Sequence, residues 1–84
     1  MELEDTIELM TSSNYKRRFQ AEYFQLKNRL EKLENMLEKW DDGDLHFKPD
    51  CPRPIYDRQI DSMRSYLKVL EDRALIEKIN LSED

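Results

Sequence analysis

The feature that most constrains this chain is a run of apolar residues at helical spacing: Phe19, Tyr23, Leu26, Leu30, Leu33, Leu37 and Trp40, each three or four residues from the last. An α-helix turns once in about 3.6 residues, so alternating steps of four and three line one seam of a helix. A second run, Tyr56, Ile60, Met63, Leu67, Leu70 and Ala74, keeps the same rhythm. Between the runs lie the only glycine, Gly43, and all three prolines, Pro49, Pro52 and Pro54. Two seams joined by a loop predict an all-α fold, an antiparallel two-helix hairpin in which each seam covers the other.

Local signals set the expected boundaries. Thr11, Ser12, Ser13 and Asn14 are helix-start residues, because short polar side chains accept bonds from the unpaired first amides, which places the first helix at 14–40. Asp41, Asp42 and Gly43 end it, since glycine tolerates the left-handed conformation that closes a helix. A linker over 41–51 leads to a second helix over 52–78, with proline acceptable in its first turn. Residues 79–84 form a tail. The acidic segment 1–12 carries Leu3, Ile7 and Met10, spaced as a short amphipathic turn that packs on the hairpin.

A single domain of 84 residues built from two helices covers each seam on one side only, and small cores rarely supply more than about 3–5 kcal/mol of net stability. The lone Cys51 offers no intramolecular disulfide. Several apolar side chains also lie off the seams: Phe24 and Met36 on the first helix, Val69, Leu75, Ile76 and Ile79 on the second or just past it. Exposed apolar patches mark contact surfaces, so these six residues are the expected interface of a homo-oligomeric helical bundle. The alternative is that they cover the short N-terminal segment within one chain.

Net charge is −5, but six of the 19 acids (Glu2, Glu4, Asp5, Glu8, Glu83 and Asp84) lie at the two ends, leaving 13 against 14 bases in the body. An acidic chain disfavours duplex nucleic acid, whose binding depends on neutralising many phosphates, while a near-neutral body retains room for a local anion site. No apolar run approaches the roughly 20 residues a bilayer requires, and the acidic start does not resemble a signal peptide; a cytoplasmic protein is expected.

The residues argue against catalysis. His46 and Cys51 sit in the linker with nothing to hold them at hydrogen-bonding distance, and the acids around them lack metal-ligand spacing. No catalytic group, metal or cofactor is expected. The most suggestive cluster is Asn14-Tyr15-Lys16-Arg17-Arg18-Phe19 with Tyr23 one turn on: amides at a helix start favour an anion, and aromatic rings beside cations stack a base while the cations hold phosphate. The competing reading is a solvated basic turn whose aromatics belong to the core. Tyr66 and Arg73, seven residues apart beside the second seam, suit a ligand wall or an oligomer contact. The candidate ligand-binding set is therefore Tyr15, Lys16, Arg18, Tyr23, Tyr66 and Arg73.

The blocks Asn14-Tyr15-Lys16, Ala21-Glu22-Tyr23, Leu26-Lys27, Arg29 and Glu31-Lys32-Leu33, followed by Cys51-Pro52, Gln59, Met63, Tyr66-Leu67, Leu70-Glu71 and Arg73, resemble small helical-hairpin proteins of phages and prophages, the crAss-phage-related group, over residues 10–79. More distantly, the architecture and the rhythm Lys32-Leu33, Gln59-x-x-x-Met63-x-x-Tyr66 and Leu70-x-x-Arg73 are similar to the hairpin domain of anti-CBASS and anti-Thoeris sponges. The long proline-containing linker departs from that pattern, and no binding residue is carried over. The resemblance implies a non-enzymatic phage accessory protein that antagonises host antiviral defence by stoichiometric binding in the host cytoplasm. Its concrete form is an oligomer that sequesters a cyclic nucleotide, with a tyrosine on a base and Lys16, Arg18 or Arg73 on phosphate. Two rivals stand beside it: an inhibitor that docks on a host defence protein, a nuclease or CRISPR effector, through acidic surfaces, and a structural coiled-coil adaptor.

Overall fold

The computed structural model describes residues 1–82 and is all-helical: a 3-10 turn over Leu3–Thr6, then α1 (Ile7–Met10), α2 (Tyr15–Asp41) and α3 (Arg53–Glu77), with no strand among the described residues. The last two tail residues, Glu83 and Asp84, lie outside the described residues.

Each long helix has identifiable ends. Asn14 is extended and its side-chain oxygen accepts the Lys16 amide at 2.9 Å, satisfying one of the first free donors of α2. At the other end Gly43 takes φ +77°, and the Asp44 amide reaches back to the Lys39 carbonyl at 2.8 Å. Pro52 is the cap of α3 and Pro54 lies in its first turn, where a missing N–H costs no intrahelical bond. Lys78 closes α3 in the left-handed region at φ 58°, unusual for a residue with a side chain. The reversal lets the Ile79 amide bond the Ala74 carbonyl at 2.8 Å and drops the Ile79 side chain into the core, where it is 7% exposed. Burying such a side chain is worth about 1.5–3 kcal/mol, which offsets the roughly 1–2 kcal/mol cost of the left-handed residue.

The long helices run antiparallel. Contacts pair Trp40 with Tyr56, Glu34 with Arg64, Glu22 with Tyr66 and Tyr15 with Glu77, so numbers fall along α2 as they rise along α3. Between them lie two clusters bridged by Leu67. Near the linker, Leu30, Leu37 and Ile60 are buried. Near the open end, Phe19, Tyr23, Phe24, Leu70, Ala74 and Ile79 are buried, with Leu70 sealed completely.

The N-terminal segment covers a second face of α2. Phe24 (4% exposed) and Asn28 (9%) are buried, with Leu9 packed on the cluster that holds Phe24. Gln25 donates to the Thr6 hydroxyl at 2.9 Å, and Asn28 Nδ2 donates to the Met1 carbonyl at 3.0 Å. The face it presents is corrected from the expected Leu3, Ile7 and Met10. Thr6 is buried and Leu3 and Leu9 are half-buried, while Ile7 and Met10 are exposed. The physical reason is the opening 3-10 turn, whose three residues per turn align positions three apart.

Candidate binding face

Two of the expected ligand residues converge where α2 begins and α3 ends. The Tyr15 hydroxyl donates to Glu77 Oε1 at 2.9 Å and accepts from Arg73 Nη2 at 2.7 Å. Arg73 Nε donates to Glu77 Oε2 at 3.1 Å, closing a triangle of three side chains. The guanidinium lies 4.9 Å from the centroid of the Phe19 ring, which meets Tyr15 edge-on. Arg73 has five N–H donors and these bonds use two, so the group is oriented without being exhausted.

The charges reinforce one another. Hydrogen bonding from Tyr15, helped by Arg73, holds the Glu77 carboxyl below its ordinary value. The bond to Glu77 pushes the Tyr15 phenol above its own ordinary value, with Arg73 opposing. The bond to Glu77 raises Arg73 further, so it stays cationic. Lys16 Nζ reaches the Lys78 carbonyl at 3.5 Å, where a cation suits the negative end of a helix. Gln20 Nε2 ties in the chain beyond α3 through the Asn80 carbonyl at 2.8 Å.

The other candidates separate. Tyr66 lies on the same flank as Arg73, two helical turns away, with its hydroxyl on the Glu22 carboxylate. Arg18 turns from the triangle and donates to the Ser12 carbonyl at 2.9 Å. Tyr23 is corrected as a stacking surface: it is 6% exposed and packed edge-on against Phe24, and burial pushes its phenol up. Among the residues expected at an oligomer interface, Phe24 and Ile79 are likewise corrected, because the N-terminal segment and the turn after α3 bring them inside the protomer. Met36 is half-buried, whereas Val69 (53% exposed), Leu75 (82%) and Ile76 (79%) face solvent.

Reasoning from spacing missed Glu77 and Glu22, the carboxylates that position Arg73, Tyr15 and Tyr66. The interval from Arg73 to Glu77 is a visible helical ion-pair spacing. The bond from Tyr15 to Glu77 spans 62 positions and carries no local signal.

The opposite end is acidic. An open groove of about 610 Å³ has Leu37 and Ile60 in its lining with Glu34, Glu38, Asp41, Asp42, Asp57 and Asp61, against two cations, Arg53 and Arg64. Arg53 bonds Asp41 and Asp57, and Arg64 bonds Glu34 at 2.7 Å. A second groove of about 470 Å³ is walled by linker residues including Leu45, Phe47 and Cys51. Neither is lined by Tyr15, Lys16 or Arg73. Among the described residues no cluster of His, Cys, Asp or Glu forms a metal-holding group, and no helix is long and apolar enough to cross a membrane.

No curated protein and no solved structure matches the chain. The family model described as Sequestin matches residues 13–76, a span that contains Tyr15, Arg73 and nearly all of both long helices. More than half of the chain is matched, and the protein belongs to the Sequestin family.

Proposed function

We propose that this protein is a non-enzymatic sequestering protein that binds an anionic small molecule, a cyclic nucleotide, at the open end of its helical hairpin. The family name speaks of sequestration, that is, of binding a partner molecule. The observation that carries the nucleotide reading is the Tyr15–Arg73–Glu77 triangle. It holds a cation with spare donors against an aromatic ring, beside a half-exposed tyrosine and Lys16. Phosphate pairs with Arg73 and Lys16, and a base stacks on Tyr15 or Tyr66. The exposed face encloses a ligand when copies of the hairpin assemble around it. In this reading the protein is a phage accessory factor that blunts host defence in the host cytoplasm by removing a signal stoichiometrically.

Calorimetric titration of the folded protein with a panel of cyclic di- and trinucleotides, alongside their linear forms, tests the reading. The expected result is saturable uptake in fixed proportion to protein, with intact ligand recovered after denaturation. Folded protein that takes up no member of the panel removes the nucleotide reading, and converted ligand removes the non-enzymatic one.

One observation favours a second reading. The groove at the linker end places six carboxylates around Leu37 and Ile60, a surface complementary to a basic cleft on a host nuclease or CRISPR effector. Glu38→Gln with Asp42→Asn and Asp61→Asn then abolishes inhibition while leaving nucleotide uptake unchanged; retained inhibition rejects it.

A further inference from the structure

The face of α3 turned away from α2 carries Arg58, Ser62, Ser65, Val69, Asp72 and Ile76, again at steps of four and three. It lies on the opposite side of the helix from the buried Ile60, Leu70 and Ala74. This is a second seam with an apolar component but no cover inside the chain: Val69, Ile76 and nearby Ile55 are 53%, 79% and 45% exposed. Its residues are ordered almost symmetrically about Ser65. Arg58 precedes Ser65 by seven positions and Asp72 follows by seven; Asp61 precedes by four and Lys68 follows by three; Ile55 precedes by ten and Ile76 follows by eleven.

We infer that α3 pairs with α3 of a second copy, antiparallel, about a two-fold axis at Ser65. In that register Arg58 faces Asp72 of the second copy and Asp61 meets its Lys68, each pair occurring twice. Val69 packs on its Ser62, Ile55 packs on its Ile76, and the small Ser65 side chains meet on the axis. With a rise of 1.5 Å per residue, the contact from Ile55 to Ile76 extends about 30 Å. A two-fold interface must be self-complementary, and this one is: cation meets anion at Arg58–Asp72 and Asp61–Lys68, apolar meets apolar at Ile55–Ile76, and the small Ser62 and Ser65 leave room for Val69 and for close approach on the axis. The parallel alternative sets Arg58 against Arg58 and Asp72 against Asp72, which is repulsive.

Two further observations agree. Arg58 has no ion-pair partner among the described residues, whereas Asp72 already holds Lys68 at 2.9 Å, so Arg58 of the second copy completes a small network. Charge is also uneven along the 43 Å length: the open end sets Lys16, Arg17, Arg18, Arg73 and Lys78 against Glu22, Glu71, Asp72 and Glu77, whereas the linker end carries the acidic groove. Antiparallel pairing keeps the acidic linker ends of the two copies apart, where parallel pairing would set them side by side.

This pairing rests on the self-association in the proposed function, and the test separates the two. Sedimentation equilibrium is run on the natural protein, on Arg58→Asp, on Asp72→Arg and on the double variant, with helix content checked by circular dichroism. These side chains are exposed, so the fold is expected to persist. Each single reversal weakens dimerisation at least tenfold, and the double variant returns to within a few fold of the natural protein. Ser65→Cys in a Cys51→Ser background cross-links to a dimer on oxidation, while Asn35→Cys, on the exposed surface of α2, does not. An assembly that ignores the single reversals, lacks rescue in the double variant, or leaves Ser65→Cys uncross-linked overturns this face while self-association stands. A protein that is monomeric at every concentration overturns both, and ligand titration reports independently on the nucleotide reading.

Discussion

The Tyr15 hydroxyl donates to the Glu77 carboxylate at 2.9 Å, fastening the first residue of α2 to the last residue of α3. Arg73 bonds both groups, so the open end of the helix pair is closed by a polar clasp above the buried Phe19 and Ala74. The clasp places the cation proposed to meet phosphate, and it separates binding from stability in a way that mutation can read.

Replacing Arg73 by alanine removes the guanidinium while the Phe19 ring stays buried. Nucleotide uptake is expected to fall at least about tenfold, the loss of one charge-assisted bond, while thermal stability barely changes because an exposed pair contributes little. Arg73→Lys recovers little, since an ammonium cannot span both the phenol and a phosphate in the plane of a guanidinium. Titration calorimetry and a thermal melt on the same samples decide this; parallel loss of binding and stability would make Arg73 a structural residue only.

The clasp should also respond to pH from both sides. Glu77 is held below its ordinary value of about 4.5, so its contribution is complete above that value and is lost as pH falls through the depressed one. Tyr15 is held above its ordinary value of about 10, so its contribution is complete below that value and is lost as pH rises through the raised one. Amide protection in the last turn of α3, corrected for intrinsic exchange, is expected to peak in the neutral range. Tyr15→Phe should remove the alkaline limb and shrink the acid one, leaving only the part that Arg73 supplies to Glu77. Protection independent of pH in the natural protein would contradict the clasp.

Leu70 bridges the seams with no exposed surface. Truncation to alanine leaves a cavity and is expected to cost about 2–5 kcal/mol, comparable to the whole stability of a small helical core. Urea unfolding followed by circular dichroism should show Leu70→Ala largely unfolded without denaturant at low protein concentration. Leu75→Ala, at an 82% exposed position on the same helix, should stay within about 0.5 kcal/mol of the natural protein.

Thr6 is 1% exposed; its hydroxyl donates to the Leu3 carbonyl at 2.7 Å and accepts from Gln25. Thr6→Val preserves the shape and removes both bonds, leaving a part-buried amide with a weak sulfur partner, Met10. A cost of about 1–3 kcal/mol is expected, borne mostly by local release of the N-terminal segment. Limited proteolysis should cut before Asn14 several fold faster while α2 and α3 stay protected; uniform acceleration along the chain would place Thr6 in the global core instead.

Helical character was legible in the sequence because it is local: a period of 3.6 in apolar residues, Asn14 before one run, Gly43 after it and Pro52 before the next require no knowledge of distant contacts. The seam residues follow from the same arithmetic, and Phe19, Leu30, Leu37, Ile60 and Leu70 are all buried. What periodicity leaves open is which additional face of each helix is covered. Only the tertiary structure decides that Phe24 lies inside and Leu75 outside. The 3-10 turn sets the phase of the N-terminal segment against α2, and the left-handed Lys78 folds Ile79 back onto the core. The same holds for the candidate site. Tyr15, Lys16 and Arg73 carry recognisable chemistry, but Arg18 and Tyr23 carry the same chemistry, and sequence does not rank them. The structure separates them: antiparallel packing brings Glu77 across 62 positions to hold Tyr15 and Arg73 in place and buries Tyr23, while Arg18 is taken up locally by the Ser12 carbonyl in the turn before α2.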